Sequence, residues 1–225
     1  MKRITSLQRI ASRSKPWDIL VVGGGATGVA IAMDAATRGL DVLLLEQSDF
    51  GKGTSSRSTK LIHGGVRYLQ QGNLTLVRDA LRERSILLKN APHLVHDMPF
   101  LIPCKGLGER LFYGIGLKVY DLLSTGRQFA RSQTVSRQVA QKLVPNIKHS
   151  AHRGGIIYHD GQFDDARLLI SMARTADNHG ATLVNYMGVD GFIKNPDGQV
   201  IGVIATDRQA KIKYEINATS VINAA

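Results

Sequence analysis

The sequence predicts an α/β protein that contains a Rossmann-like nucleotide-binding domain, and four consecutive segments predict it. Residues 18–22 form a short apolar segment, and the glycine-rich run 23–28 follows it at once. Residues 29–38 are typical of a helix, and a second apolar segment, Val42–Leu45, ends at Glu46. Short, continuously apolar segments are typical of parallel strands that are buried on both faces. The order strand, glycine turn, helix, strand therefore indicates a dinucleotide site.

The glycine run contains the G-x-G-x-x-G pattern at Gly23, Gly25 and Gly28. In this pattern the first glycine makes the tight turn, the second lets the backbone approach a pyrophosphate, and the third lets the helix pack closely on the strand. The N-terminus of the helix then faces the phosphates. Glu46 lies about twenty residues further along the chain, where an acidic side chain accepts hydrogen bonds from the adenosine ribose. A strand–turn–helix unit that binds nothing is the alternative interpretation.

Four helices are predicted outside this unit, and three of them precede residue 124. The first lies near the N-terminus, where Ile4, Leu7, Ile10 and Ala11 share one face among basic residues, a pattern that fits a transit peptide or an amphipathic helix. The second is capped by Asn73 and ended by Pro92. The third covers residues 111–123, with Arg110 and Lys118 beside an apolar stripe that consists of Leu111, Ile115, Val119 and Leu122. Packing of this stripe on the nucleotide-binding domain is the favoured interpretation, and contact with a bilayer is the alternative.

The last third of the chain is predicted to return to the sheet. Asp164 or Asp165 caps a helix that Gly180 ends. Four strands follow, at residues 182–186, 188–193, 200–206 and 211–216, with a turn at 195–198.

A segment rich in hydroxyl groups, residues 54–68, begins shortly after the second strand. Its hydroxyls and main-chain amides suit a pyrophosphate or a ribityl chain, and its glycines allow close approach to a flat ring. His63 could serve as a general base near neutral pH. Arg67 could hold a phosphate or a carboxylate. A surface loop with a structural histidine is the alternative.

Several strings of residues resemble FAD-dependent glycerol-3-phosphate dehydrogenase, in the group of flavoproteins similar to D-amino-acid oxidase. The strings lie at residues 23–28, 54–69, 91–94, 160–168 and 221–225. The string at 54–69 is highly specific, whereas the glycine motif alone is not. The resemblance extends from Trp17 to the last residue. It implies a Rossmann-like FAD-binding domain that joins a parallel sheet to an antiparallel meander, together with a helical insertion and the start of a substrate domain. It also implies that residues 221–225 form a strand that returns to the parallel sheet.

The resemblance also implies how the chain is divided. The expected parts are a basic N-terminal extension (1–16), a first part of the FAD-binding domain (17–75), a helical, substrate-side insertion (76–153) and a second part of the FAD-binding domain (154–225). Members of the family are much longer than 225 residues. The chain is therefore expected to be an N-terminal fragment that lacks the last strand of the FAD-binding domain and the further basic residues that hold the substrate phosphate.

The implied cofactor is FAD, and the implied reaction oxidises sn-glycerol 3-phosphate to dihydroxyacetone phosphate by hydride transfer to flavin N5. His63 is the candidate base or polariser, and Arg67 is the candidate that orients the anionic substrate. The candidate FAD-binding residues are Gly23, Gly25, Gly28, Glu46, Thr54, Ser55, Ser58, Lys60, Leu61 and Val189. Tyr68 is expected to pack beside the flavin, whereas Asp160 and Arg167 are expected to have structural roles.

Members of the family typically bind membranes peripherally and pass electrons to quinone, so the resemblance implies quinone and an anionic membrane surface as partners. It leaves a homodimer open. A cytoplasmic location, with attachment to the inner membrane, is expected in preference to a mitochondrial one, because similar basic N-terminal segments occur in bacterial members. Two functional alternatives stay open: an amino acid or 2-hydroxy acid as the substrate of the same scaffold, and a truncated FAD-binding fragment that turns nothing over. The resemblance implies the activity for the whole family protein, whereas these 225 residues alone are expected to be inactive.

Composition excludes several other classes of protein. Cys104 is the only cysteine, so neither an internal disulfide nor a cysteine-based metal site can form. The seven histidines lack the helical spacing of a metal pair, and no metal is predicted. The net charge of +11 suits an anionic cofactor and a phosphorylated substrate, or an anionic membrane surface, and a solvated basic face is the alternative. No nucleic-acid-binding motif accompanies this charge, and no apolar run reaches the roughly 18 residues of a membrane span.

Overall fold

The computed structural model describes residues 2–65, 68, 71–124, 129–148 and 152–225. The chain forms two compact units. The first unit combines Met1–Ser58 with Asp165–Ala225, and the second is the intervening segment Thr59–Asp164. The chain therefore leaves the first unit once and returns to it, as it does in a domain that carries an insertion.

Helices and strands alternate along much of the described chain. In chain order they are α1 (Arg3–Ala11), β1 (Trp17–Val22), α2 (Ala26–Thr37), β2 (Val42–Leu45), a 3₁₀ turn (Thr54–Ser56), β3 (Leu61–Ile62), α3 (Leu74–Asn90), β4 (Val95–Pro103), α4 (Leu107–Leu123), β5 (Gln133–Ser136), α5 (Arg137–Leu143), β6 (Gly154–Phe163), α6 (Asp165–Asn178), β7 (Thr182–Val184), β8 (Met187–Lys194), β9 (Val200–Asp207) and β10 (Lys213–Asn223). The predicted α/β class is thereby confirmed.

The first unit is built on a six-stranded sheet in the order β7-β2-β1-β10-β9-β8. Strands β7, β2, β1 and the end of β10 are parallel, whereas β10, β9 and β8 form an antiparallel meander. The sequence predicts separate strands at 211–216 and 221–225, but the structure joins them into the single strand β10. Asn217 is paired with Gly202 of β9, and the next residue, Ala218, is paired with Trp17 of β1. The strand changes partners without a turn, so one strand serves both parts of the sheet.

The parallel strands bury both of their faces, which explains their continuously apolar sequences. On one face, Val21 and Leu44 pack with alanines of α2 and α6. On the other face, Leu20 and Leu43 pack with Ile10 of α1 and with the meander. Successive side chains of a strand point to opposite faces, so β1 and β2 each contribute to two cores.

The N-terminal helix α1 is attached to the first unit by its basic side chains. Arg3 Nη2 donates to Asp207 Oδ1 at 2.8 Å, and Arg9 Nη2 donates to Asp41 Oδ1 at 2.9 Å. The Arg13 guanidinium lies over the Trp17 ring, 3.9 Å from its centroid. The predicted helix is present, and its charges pair with carboxylates of the same unit.

The second unit contains an antiparallel sheet in addition to its helices. The central strand β6 pairs with β4 on one side and with β3 and β5 on the other. The sequence predicts helices here and no strands. The reason is local: β4 includes Pro99 and Pro103, and β6 begins with Gly154 and Gly155, residue types that are depleted in strands. Proline is tolerated in β4 because this strand lies at the edge of the sheet.

The core of the second unit joins α3, α4 and β6 through Val77, Leu81, Leu117, Tyr120 and Ile156. Asn73 caps α3 as predicted, since its side chain accepts from the Leu76 amide. The apolar stripe of α4 does not form the packed face of that helix. The exposed fractions of Leu111, Ile115 and Leu122 are 65%, 60% and 83%. None of the helices in the described ranges is both long and apolar enough to cross a membrane.

Candidate dinucleotide site

A cleft of about 660 Å³ opens in the first unit, at the carboxyl ends of β1 and β2. Its lining comes from the glycine turn, the start of α2, the segment 45–57, β8 and Ala224–Ala225. Its volume lies within the range of about 300–1,000 Å³ that is usual for cofactor sites. The carboxyl ends of parallel strands are also where open α/β sheets bind their ligands.

Two of the motif glycines are required by close backbone approach. Gly23 has a φ of +106°, and a Cβ there would lie 2.8 Å from the carbonyl oxygen of Ala224. A Cβ on Gly28 would lie 1.9 Å from the carbonyl oxygen of Gly23. The turn therefore presses α2 against the end of β1, and it leaves no space for a side chain at either position.

The carboxylate of Glu46 is held by main-chain amides. The Gly24 amide donates to Oε2 at 2.7 Å, and the Ser48 amide donates to Oε1 at 2.7 Å. A Cβ on Gly24 would lie 2.7 Å from the Cβ of Glu46, so this position also needs glycine. Each carboxylate oxygen has a second lone pair, which can accept from a ribose hydroxyl. Sequence reasoning overlooked Gly24, although the run of three consecutive glycines was a signal for it.

The N-terminus of α2 faces the cleft with little to neutralise its charge. Its N-cap is Gly25, which offers no capping side chain, and its first turn contains no acidic residue. Ser55 reaches across instead, because its Oγ accepts from the Ala26 amide at 2.8 Å. A helix N-terminus of this kind favours a phosphate group. Exposed Lys52 and Arg57 line the same cleft and add positive charge, and sequence reasoning did not single them out.

The structure places the other predicted FAD-binding residues in three settings. Thr54, Ser55 and Val189 line the cleft. The Ser58 hydroxyl instead donates to Asp165 Oδ2 at 2.7 Å, at the start of α6. Lys60 and Leu61 belong to the second unit, where the Lys60 carbonyl accepts from the Phe163 amide at 3.0 Å.

A β-bulge adjoins the cleft at Val189. Val189 is paired with Ala205 and Gly191 with Ile204, so Asp190 is the additional residue. Bulges often lie beside binding sites, where they redirect the backbone. A hydrogen bond from the Thr206 hydroxyl, followed by the effect of the nearby Arg208, lowers the pKa of the exposed Asp190 carboxyl.

The predicted catalytic residues lie in the second unit or outside the described residues. His63 is exposed, and the two residues that follow it, Gly64 and Gly65, are buried. Arg67 lies outside the described residues. Tyr68 is 42% exposed. Asp160 is buried and pairs with Arg84, whose Nη1 donates to its Oδ1 at 2.6 Å.

Three features define a Rossmann-like dinucleotide-binding protein. They are the parallel sheet, the glycine turn with its close backbone contacts, and Glu46, which main-chain amides hold at the end of the second strand. The family described as FAD dependent oxidoreductase matches residues 18–225, and the chain belongs to this family.

Several proteins that are similar to this chain are named glycerol-3-phosphate dehydrogenase. The mitochondrial glycerol-3-phosphate dehydrogenase of Schizosaccharomyces pombe is 41% identical over 229 residues, which cover 99% of this chain and 35% of that protein. That of Saccharomyces cerevisiae is 42% identical over 226 residues, which cover 97% of this chain and 35% of the relative. The crystal structure of glycerol-3-phosphate dehydrogenase from Bacillus halodurans, complexed with FAD, has a TM-score of 0.74 and 33% identity, and the match covers 100% of this chain and 36% of that one. The chain thus spans about a third of the length of these relatives.

Proposed function

We propose that the chain is the FAD-binding part of a glycerol-3-phosphate dehydrogenase, which oxidises sn-glycerol 3-phosphate to dihydroxyacetone phosphate. The observation that carries the proposal is the cleft of the first unit, in which Glu46 and the N-terminus of α2 stand where a dinucleotide needs an acceptor and an anion site. The names of the relatives support the choice of substrate over an amino acid or a 2-hydroxy acid.

Each part of the cleft suits one part of FAD. Glu46 would accept hydrogen bonds from the adenosine ribose, and the backbone of Val189 would contact the adenine. The amides at the start of α2 would hold the pyrophosphate, with Lys52 and Arg57 opposing its charge. The glycine turn suits a pyrophosphate because Gly25 has no side chain. A Cβ there would lie 3.3 Å from Ser55 Oγ and would fill the space that the phosphates require.

Bound FAD would supply the hydride acceptor, flavin N5, and the protein would bind and orient the substrate. We assign to the exposed imidazole of His63 the removal of the proton from the C2 hydroxyl. We assign to Arg67 the orientation of the substrate's anionic end. The net charge of +11 would attract both the cofactor and the phosphorylated substrate.

The test is a visible absorption spectrum of the FAD-loaded chain without oxygen, before and after addition of sn-glycerol 3-phosphate. Glycerol tests the need for the phosphate, and L-proline tests the amino-acid alternative. Bleaching of the flavin band by glycerol 3-phosphate, and by neither of the other two compounds, would support the proposed substrate. Bleaching by L-proline alone would contradict the substrate. A bound flavin that no substrate bleaches would identify a cofactor-binding part that needs further residues for turnover.

Quinone as the electron acceptor and peripheral attachment to the cytoplasmic face of an inner membrane are part of the same proposal. The apolar stripe of α4 is exposed, with Arg110 and Lys118 beside it. A face of this composition suits the boundary between acyl chains and anionic headgroups. Electron transfer to a quinone dissolved in the bilayer requires such contact.

Co-sedimentation with anionic lipid vesicles tests the membrane contact. Ile115→Asp should reduce the bound fraction, because it places a charge in the apolar stripe. Phe192→Asp is the matched control, since Phe192 is an exposed apolar residue of β8, 48% accessible, in the first unit. Equal losses in both variants, or none in either, would exclude the stripe as the membrane-binding surface.

A further inference from the structure

The second unit contains a buried ion pair between Arg84 of α3 and Asp160 of β6. Arg84 Nη1 donates to Asp160 Oδ1 at 2.6 Å, and the two side chains are 1% and 3% exposed. Arg84 Nη1 also donates to the His159 carbonyl at 3.1 Å, and Nη2 donates to Ser124 Oγ at 3.2 Å. A buried charge pair is weak evidence for stability, because loss of hydration offsets much of the attraction. Stability alone therefore does not explain why Arg84 and Asp160 are buried together.

Tyr120 of α4 is the third member of this group. Its Oη donates to Asp160 Oδ2 at 3.2 Å. Burial, and then the negative charge of Asp160, raise the pKa of the Tyr120 hydroxyl far above its ordinary value. The hydroxyl therefore stays protonated and keeps its donor for Asp160 at any pH at which the protein works.

The group ends on the backbone beside His63. The Gly64 amide donates to Tyr120 Oη at 3.0 Å and lies 3.3 Å from Asp160 Oδ1. A Cβ on Gly64 would lie 2.3 Å from a methyl group of Leu81 and 2.4 Å from Tyr120 Oη. Helices α3 and α4 thus leave room for bare backbone only. The Gly64 amide belongs to the peptide group that follows His63, so its two acceptors fix the plane of that peptide.

We infer that Arg84, Asp160 and Tyr120 are positioning residues for His63. Arg84 fixes the carboxylate, the carboxylate and the phenol fix the Gly64 amide, and the amide sets the direction in which the exposed imidazole leaves the backbone. The value of this positioning rests on the proposed role of His63 as the base. The positioning itself can be measured without turnover.

The first test is amide hydrogen exchange by NMR on Tyr120→Phe, which removes the phenol oxygen and little else. Tyr158→Phe is the matched control: its ring packs edge-to-face on Tyr120, with centroids 6.5 Å apart, but among the described residues it makes no hydrogen bond to Gly64. We expect the Gly64 amide to exchange about fivefold faster in Tyr120→Phe, the factor that corresponds to one neutral hydrogen bond. The imidazole resonances of His63 should shift in Tyr120→Phe and not in Tyr158→Phe. Equal exchange in both variants would overturn the inference.

The second test is the rate of flavin reduction by sn-glycerol 3-phosphate in the FAD-loaded protein. Tyr120→Phe should lower this rate about fivefold and leave the substrate concentration for half-maximal rate unchanged, because Tyr120 is buried. If Gly64 exchange changes but the rate of flavin reduction does not, the contact between Gly64 and Tyr120 does not assist His63 in catalysis. Failure of the unmodified protein to reduce flavin would count only against turnover by this chain alone, and hydrogen exchange would still decide the positioning. If Tyr120→Phe does not fold, Ser124→Ala replaces it in both tests, because it removes the acceptor of Arg84 Nη2 and so loosens the guanidinium that holds Asp160. Gly64 exchange equal to that of the unmodified chain would then overturn the inference.

Discussion

Replacement of Gly28 by alanine should damage the dinucleotide cleft in a way that the structure quantifies. The new Cβ would lie 1.9 Å from the carbonyl oxygen of Gly23, whereas ordinary contact begins at 3.4 Å. The start of α2 must therefore move by about 1.5 Å away from the end of β1. The obstacle is backbone rather than a flexible side chain, so the strain cannot be relieved by a change of rotamer. The same movement withdraws the amides of α2 from the position proposed for the pyrophosphate.

Gly28→Ala has two opposing effects on the free energy of unfolding. Overpacking of this kind costs up to about 3 kcal/mol, and alanine favours a helix over glycine by about 1 kcal/mol. We expect a net loss of about 2 kcal/mol, which for a chain of this size lowers the unfolding midpoint by about 4–8 °C. FAD affinity, measured by quenching of flavin fluorescence, should fall in parallel. Differential scanning calorimetry gives the midpoint.

Gly116→Ala is the control for this prediction. Gly116 lies inside α4, and a Cβ there would meet nothing within 4 Å. The same substitution should therefore stabilise the protein slightly, by up to about 1 kcal/mol. If Gly28→Ala behaves like Gly116→Ala in both midpoint and FAD affinity, close approach at the glycine turn is not what constrains this position.

Three more predictions concern the acid, the N-terminal helix and the cysteine. Glu46→Gln brings an amide donor against the Gly24 or Ser48 amide, so FAD affinity should fall about tenfold. Unchanged affinity in a fluorescence titration would show that Glu46 does not contribute to FAD binding. Burial raises the pKa of the Asp207 carboxyl, but Arg3 and two main-chain amides outweigh it, and the net pKa lies below the ordinary 3.8. A lowered carboxyl pKa stabilises the protein above pH 3.8 and ceases to do so as the pH falls through the folded value. The midpoint of Arg3→Gln should thus be lower than that of the unmodified chain at pH 7, and the two should converge in acid; a difference that persists there would contradict the ion pair. Burial raises the pKa of the Cys104 thiol, so iodoacetamide should modify the native chain far more slowly than the urea-unfolded chain, and equal rates would show that Cys104 is accessible.

The sequence was sufficient for elements whose signals are local. The glycine turn, the acid at residue 46 and the hairpin around 195–198 depend on residue types at fixed short spacings, and the structure has each of them. The two-sided burial of β1 and β2 likewise follows from their continuously apolar sequences. The continuous strand β10 was not predictable in the same way, because three of the four residues in its middle, Asn217, Thr219 and Ser220, are polar and typical of a loop.

The overlooked parts of the site depend on contacts between distant residues. Arg84 and Asp160 are 76 positions apart, and Tyr120 is 36 positions from Arg84. No periodicity marks such a group, and an arginine in an amphipathic helix is usually a solvated residue. Ser58 is the opposite example. It lies in the family-specific string 54–69 and was predicted to bind FAD, whereas in the structure its hydroxyl donates to Asp165. Only the packed structure distinguishes these roles.

Calorimetric titration of the folded chain with FAD tests the central claim most directly, with riboflavin as the comparison ligand. The cleft of the first unit is proposed to hold the adenosine and pyrophosphate, both of which riboflavin lacks. Saturable, one-to-one binding of FAD, no binding of riboflavin and weakened binding by Gly28→Ala are the predicted results. Equal affinity for the two ligands, or no FAD binding by a chain with a cooperative unfolding transition, would contradict the assignment of the cleft.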